Sequence, residues 1–129
     1  MLVVGGRAGQ ASLSSCEVFD PDSGDWNEVG DLNEARTAHS AVLLYTGNVM
    51  VVGGYSSGSF LQSTEFFNPE TAVWTLGPPT TVSRYEHTQT LLRRDRHSLD
   101  IKVLVAGGRD PSKYALNSAE LLTIGEVIV

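Results

Sequence analysis

The chain of 129 residues contains a single cysteine, Cys16, and no long apolar run. One thiol cannot form an intrachain disulfide. No hydrophobic stretch approaches the roughly 20 residues of a membrane-spanning helix. The N-terminal MLVVGG has neither the basic start nor the apolar length of a signal peptide. We therefore expect no membrane partner; these absences slightly favour the cytoplasm, although the compartment stays unknown.

Basic residues are also scarce. Nine Lys and Arg stand against fifteen Asp and Glu, for a net charge of -6. Binding to a phosphate backbone depends on clustered basic residues, so we expect no nucleic-acid partner. The one basic run, residues 93–97, is short, and we expect it at a solvated loop tip.

Helical periodicity is absent from every segment of ten or more residues. A hydrophobic content of 41% with 19% charged residues is nevertheless typical of a folded globular protein. Short β-type runs are separated by turn-forming residues, as in HSAVLL (39–44) and NVMVV (48–52), or SSCEVF (14–19) and DWNEV (25–29). The sequence predicts an all-β fold.

A glycine pair follows a β-type apolar run three times, at intervals of 48 and 54 residues. Other positions align with it: a Ser-x-Glu motif, an aromatic residue seven before a Trp, and an Arg three before a His. A period near 50 residues with several matching positions indicates a repeat architecture. The glycines are Gly5, Gly6, Gly53, Gly54, Gly107 and Gly108, and the tryptophans are Trp26 and Trp74.

These motifs resemble the kelch repeat, which has a double glycine after its second strand and an aromatic residue separated by six positions from a Trp. The resemblance covers nearly the whole chain. It implies four-stranded antiparallel blades of a β-propeller and, as the family's commonest role, binding of other proteins. Glycine at the strand end would allow positive φ and close approach of neighbouring backbones. We expect Trp26 and Trp74 to fill equivalent buried positions.

The repeats predict a partial propeller. The units span about 1–38, lacking a first strand, 39–86, and 87–129, in which Leu122 and Val129 replace the aromatic pair. A six-residue insertion falls within residues 93–100. Because propellers need four to eight blades, we expect a segment of a longer kelch protein, or self-association through open edges.

The Glu and Arg of the repeats predict a buried ion pair in one of two registers. Glu17 and Glu65 each precede an Arg by 19 residues, Arg36 and Arg84. If each Arg instead pairs with the Glu of the next unit, Glu17 has no partner. In either register, one repeat Glu at an end of the chain has no Arg partner within the sequence.

Catalytic and metal chemistry find little support in the sequence. His39 and His87 are repeat-equivalent, which favours a structural role over a metal site. Cys16 aligns with Thr64 and Ala119 and is expected to pack. We expect no enzyme, metal or cofactor. The alternatives are a piece of a copper propeller resembling galactose oxidase, or a purely structural segment.

The predicted partner-binding face is formed by loops, since loops carry function on such scaffolds. In kelch propellers, the loops between the second and third strands, and between successive blades, rim one face. Arg and aromatic residues are enriched in interface hot spots. The candidate residues for binding another protein or peptide are Arg7, Ala38, Tyr55, Phe60, Glu86, Arg109 and Tyr114.

Overall fold

The computed structural model describes residues 1–125, which form fourteen β-strands and no helix. The predicted all-β class is confirmed. The strands are β1 (Leu2–Val4), β2 (Arg7–Ala8), β3 (Ala11–Ser12), β4 (Cys16–Asp20), β5 (Asp25–Val29), β6 (Ser40–Leu43), β7 (Val49–Val52), β8 (Tyr55–Ser56), β9 (Ser59–Phe60), β10 (Thr64–Asn68), β11 (Val73–Leu76), β12 (Thr88–Leu91), β13 (Ile101–Ala106) and β14 (Ala119–Ile124).

Three antiparallel meanders correspond to the three repeat units. The middle sheet has four strands, in the order β6-β7-β10-β11. In the described part of the chain, the first sheet, β1-β4-β5, has no strand on the side of β1 away from β4, and the third sheet has the order β12-β13-β14. This arrangement is that of partial propeller blades. Val129, which stands at the Trp position of the third unit, lies among residues 126–129, outside the described part.

Two short hairpins, β2-β3 and β8-β9, lie between the second and third strands of the first two blades. Arg7 pairs with Ser12, and Tyr55 pairs with Phe60. Two-residue strands carry too little periodicity to be predicted from sequence. Their effect is to hold the predicted loop residues in a fixed register.

The glycine pairs lie where consecutive blades come into backbone contact. Gly53 and Gly54 have φ of +61° and +102°. A Cβ on Gly54 would lie 2.6 Å from the Thr37 carbonyl oxygen, and one on Gly53 would lie 2.6 Å from that of Arg84. Only glycine combines this backbone conformation with this close approach.

Two hydrophobic clusters fill the spaces between the sheets. Between the first and second sheets, Cys16 and Leu32 pack against Val51, Phe67 and Trp74. Between the second and third sheets, residues of both sheets form a larger cluster: Leu44, Met50, Val52, Phe66, Ile101, Val103, Val105, Leu122 and Ile124. The middle sheet therefore buries both of its faces. Among residues 1–125, no further sheet covers the outer faces of the first and third sheets.

The expectation that Trp26 and Trp74 are equally buried is wrong. Both stand opposite the repeat aromatic, with ring centroids 5.1 Å apart for Phe19–Trp26 and 5.0 Å apart for Phe67–Trp74. Trp74 is 4% exposed, however, whereas Trp26 is 45% exposed. The two exposures differ because the first sheet covers Trp74, whereas no sheet among the described residues covers Trp26.

The ion pairs follow the second of the two predicted registers, in which each Arg pairs with the Glu of the next unit. Arg36 lies 2.8 Å from Glu65, and both side chains are fully buried. Arg84 lies 3.2 Å from Glu120. Within residues 1–125, Glu17 is exposed and forms no ion pair.

Candidate binding face

A surface pocket of about 370 Å³ lies on the face of the three blades that is formed by the loops after the glycine pairs. Its volume is within the range of small-ligand pockets. Five of the seven predicted partner-binding residues line it: Arg7, Ala38, Tyr55, Phe60 and Glu86. Residues of all three units contribute, because Lys113 of the third unit completes the rim. The structure thus brings most of the candidate loop residues to one place.

Three aromatic rings form a continuous apolar surface in this pocket. Tyr55 and Phe60 meet edge to face at 5.2 Å between centroids, and Phe60 and Tyr85 lie 5.4 Å apart. All three side chains are partly exposed. Aromatic pairs in such geometries add stability beyond the area they bury, so the rings are pre-organised for an apolar side chain of a ligand.

Backbone bonds fix this aromatic surface from both sides. The Thr37 and Tyr55 backbones exchange hydrogen bonds of 2.9 and 2.8 Å. The neighbouring hairpins are also joined, because the Ser57 N–H donates to the Ser12 hydroxyl at 3.3 Å and that hydroxyl donates to the Tyr55 carbonyl at 3.2 Å. Hydrogen bonds to the neighbouring strands and hairpins therefore hold the residues that line the pocket in fixed positions.

The charge at the pocket rim is predominantly positive. Arg7 and Lys113 are exposed, and neither forms an ion pair within the described residues. Glu86 is compensated by Arg109, whose Nε lies 3.0 Å from its carboxylate. The two free cations favour a ligand that carries carboxylates.

Three pocket residues have strained backbones: Ala38, Glu86 and Lys113, the last with φ of +66°. Ala38 and Glu86 occupy equivalent positions before the repeat histidines, with φ of +55° and +56°. Non-glycine residues in this left-handed region each cost about 1 kcal/mol or more. The Glu86 N–H donates to the Ala38 carbonyl at 2.9 Å, and this bond holds both turns at the pocket.

Two predicted residues lie outside the pocket, and four lining residues are not among the predicted ones. Arg109 is held beside the pocket by Glu86, and Tyr114 is 74% exposed away from it. The four lining residues that are not among the predicted ones are Thr37, Gly58, Tyr85 and Lys113. Thr37 and Tyr85 share a repeat position, two residues before each histidine. This spacing is the sequence feature that places both residues beside the candidate loops.

The repeat histidines and Cys16 have structural contacts. The His87 Nε2 lies 2.7 Å from the Ser40 hydroxyl, and Cys16 is 2% exposed within the first interblade cluster. Burial raises the pKa of the Cys16 thiol. The described residues contain no group of three or more His, Cys, Asp or Glu side chains placed to hold a metal ion, and no helix among them is long and apolar enough to cross a membrane.

The protein is expected to lose stability as the pH falls from 6.5 to 4.5. Burial, with the nearby Arg36 charge, lowers the pKa of His39 to about 4, and burial also lowers that of His87. Below pH 6.5 the unfolded chain binds protons that the folded chain does not, which favours unfolding. His39 alone should account for about 2 kcal/mol over this range.

Urea unfolding at a series of pH values measures this effect. H39Q should show a clearly smaller slope of unfolding free energy against pH than the parent chain. H97Q, at an exposed histidine, should leave the slope unchanged. An identical slope for H39Q and the parent chain would show that His39 is not held neutral by the fold.

The family model described as the Kelch motif matches residues 1–33 and 36–81 of the chain. These matches include the first two glycine pairs and both tryptophans. A comparison with curated proteins gives no match.

Proposed function

Because the chain belongs to the kelch-repeat family, whose repeats generally mediate protein–protein interaction, we propose that it is a non-catalytic binding module for an acidic peptide segment of another protein. The segment binds at the pocket between the loop hairpins. The observation that carries this proposal is the convergence of five predicted loop residues on one pocket. An apolar side chain of the ligand contacts the rings of Tyr55, Phe60 and Tyr85.

The positive charges on the pocket rim predict a second feature of the ligand, its acidic residues. Arg7 and Lys113 come from different units and stand on the rim of the same pocket. Carboxylates on the ligand would pair with these cations, which sets orientation and association rate more than affinity. The proposed ligand is therefore an extended segment with acidic residues beside an apolar or aromatic anchor.

Selection from a random peptide library on the immobilised chain tests the proposal. Enriched peptides are expected to combine Asp or Glu with an aromatic or large apolar residue. Y55A should weaken the best peptide about 30-fold, as for an interface hot spot. Y45A is the matched control, because Tyr45 is also exposed but bonds to the Leu92 carbonyl, away from the pocket.

A charge-reversal pair separates the pocket from the basic insertion. R7E with K113E should abolish binding of the selected peptides, while R93E with R96E should leave it intact. The reverse result would place the binding site on the insertion, within residues 93–100, and would contradict the proposal.

A further inference from the structure

The residue that follows each glycine pair is held in the same way in the second and third units. Tyr55 exchanges backbone hydrogen bonds of 2.8 and 2.9 Å with Thr37. Arg109 exchanges backbone hydrogen bonds of 2.9 and 3.2 Å with Tyr85, which stands at the repeat position of Thr37. The backbone of Arg109 therefore has the same place on its unit as the backbone of Tyr55.

The side chains at this repeat position nevertheless differ in where they lie. Arg7 and Tyr55 line the pocket between the loop hairpins, whereas Arg109 does not. The Arg109 Nε atom lies 3.0 Å from the Glu86 carboxylate. One unit earlier, the residue equivalent to Glu86 is Ala38, which has no carboxylate. The ion pair with Glu86 is thus the feature that distinguishes the side chain of Arg109 from its two equivalents.

The turn that carries Glu86 does not need a carboxylate. Ala38 adopts the same left-handed backbone, with φ of +55° against +56° for Glu86. The hydrogen bond that joins the two turns, from the Glu86 N–H to the Ala38 carbonyl at 2.9 Å, uses backbone atoms alone. A long side chain is disfavoured in this region relative to glycine. The one printed role of the Glu86 side chain in the fold is therefore its pairing with Arg109.

The ion pair is exposed enough to exchange partners. The Arg109 and Glu86 side chains are 53% and 56% exposed, whereas both members of the Arg36–Glu65 pair are fully buried. Exposed ion pairs contribute little to stability. A carboxylate of a ligand can therefore replace Glu86 as the partner of Arg109 without disturbing the fold.

Glu86 is also placed to meet the ligand. Among the described residues that line the pocket, it carries the one carboxylate. The nearest acidic residue along the chain from Arg109 is Asp110, and its carboxylate accepts the backbone N–H of Ser112 at 3.0 Å. Asp110 therefore stabilises the turn that presents Lys113 on the pocket rim, and the charge of Arg109 is left to Glu86.

We propose that Arg109 is a third cation of the binding site, kept beside the pocket by Glu86 until a ligand carboxylate replaces Glu86. The ligand class is then a segment with one carboxylate more than those that pair with Arg7 and Lys113. A less acidic segment meets Glu86 still paired with Arg109, which makes this ion pair a determinant of specificity. This inference rests on the proposed binding of acidic peptides at the pocket.

Fluorescence anisotropy with the best peptide from the library selection on the parent chain tests the proposal. E86Q should bind this peptide about fivefold more tightly, because Arg109 is released and the opposing charge is removed. E70Q is the matched control and should bind as the parent chain does. Glu70 is also exposed, but it lies in the turn between β10 and β11, outside the pocket.

A double-variant comparison separates release of Arg109 from simple repulsion by Glu86. R109Q should weaken the peptide about fivefold, because it leaves the Glu86 charge uncompensated in the pocket. Adding R109Q to E86Q should remove the gain in affinity that E86Q gives alone. A gain that persists in the double variant would show that Arg109 takes no part in binding, and would overturn the proposal.

The arginine side chain can also be observed directly by NMR. The Arg109 Nε–Hε resonance, identified by its loss in R109Q, should shift when the peptide is added to the parent chain. The corresponding resonance of Arg93, an exposed arginine outside the pocket, is the control and should stay unchanged. An Arg109 resonance that does not move at saturating peptide would contradict the exchange of partners.

Failure of this inference can be distinguished from failure of the proposed function. If R7E with K113E abolishes binding but E86Q and E70Q bind the peptide equally, the pocket binds acidic peptides and the role assigned to Glu86 and Arg109 is wrong. If R7E with K113E leaves binding intact, or if the library yields no binding peptide, both the proposed function and this inference are wrong.

Discussion

Replacing Trp74 with alanine is expected to lower the free energy of unfolding by about 3–5 kcal/mol. The indole is 4% exposed and packs in the cluster between the first two sheets, beside Phe67 and Val51. Its removal would leave a cavity between two sheets that cannot close without moving a whole blade. Urea denaturation followed by circular dichroism measures the loss.

Trp26 is the matched control, since it holds the same repeat position on an uncovered face. With 45% of the side chain exposed, W26A should cost about 1 kcal/mol, the ordinary effect of a partly exposed substitution. Equal losses for W74A and W26A would contradict the account in which each blade is covered by the preceding one.

The second large effect is expected at the buried ion pair. Removing one partner of such a pair leaves an uncompensated buried charge and costs about 3–5 kcal/mol. E65A should fall in this range, because Glu65 also accepts hydrogen bonds from the Asn33 backbone at 2.7 Å and the Glu34 backbone at 3.1 Å. The substitution would release the linker between the first two sheets as well as Arg36.

E17A provides the control at the equivalent repeat position. Since Glu17 is exposed and forms no ion pair in the described part of the chain, E17A should change the unfolding free energy by less than about 0.5 kcal/mol. A loss for E17A as large as that for E65A would show that Glu17 has a buried partner.

The sequence predicts the sheets well because their signals are local. Alternating apolar residues and turn residues give the strands, and a fixed repeat gives their grouping into blades. The glycine pairs were predicted to adopt positive φ near a neighbouring backbone, and Gly53 and Gly54 do so.

What the sequence could not predict depends on contacts between units. Trp26 and Trp74 have the same local pattern, and only the presence of a neighbouring sheet distinguishes them. The Arg–Glu spacing was compatible with two registers, because a repeat period fixes positions within a unit but not the direction of pairing. Tyr85 contacts the Phe60 ring in the pocket, and its repeat position two residues before a histidine does not by itself predict that ring contact.

The central claim is that this kelch-repeat chain binds acidic peptide segments at the pocket between its loop hairpins. Amide chemical-shift mapping of the 129-residue chain with a library-selected peptide tests it most directly. The largest shifts are expected at Thr37, Ala38, Tyr55, Phe60 and Glu86. Shifts confined to residues 93–100, with the pocket amides unchanged, would contradict the account.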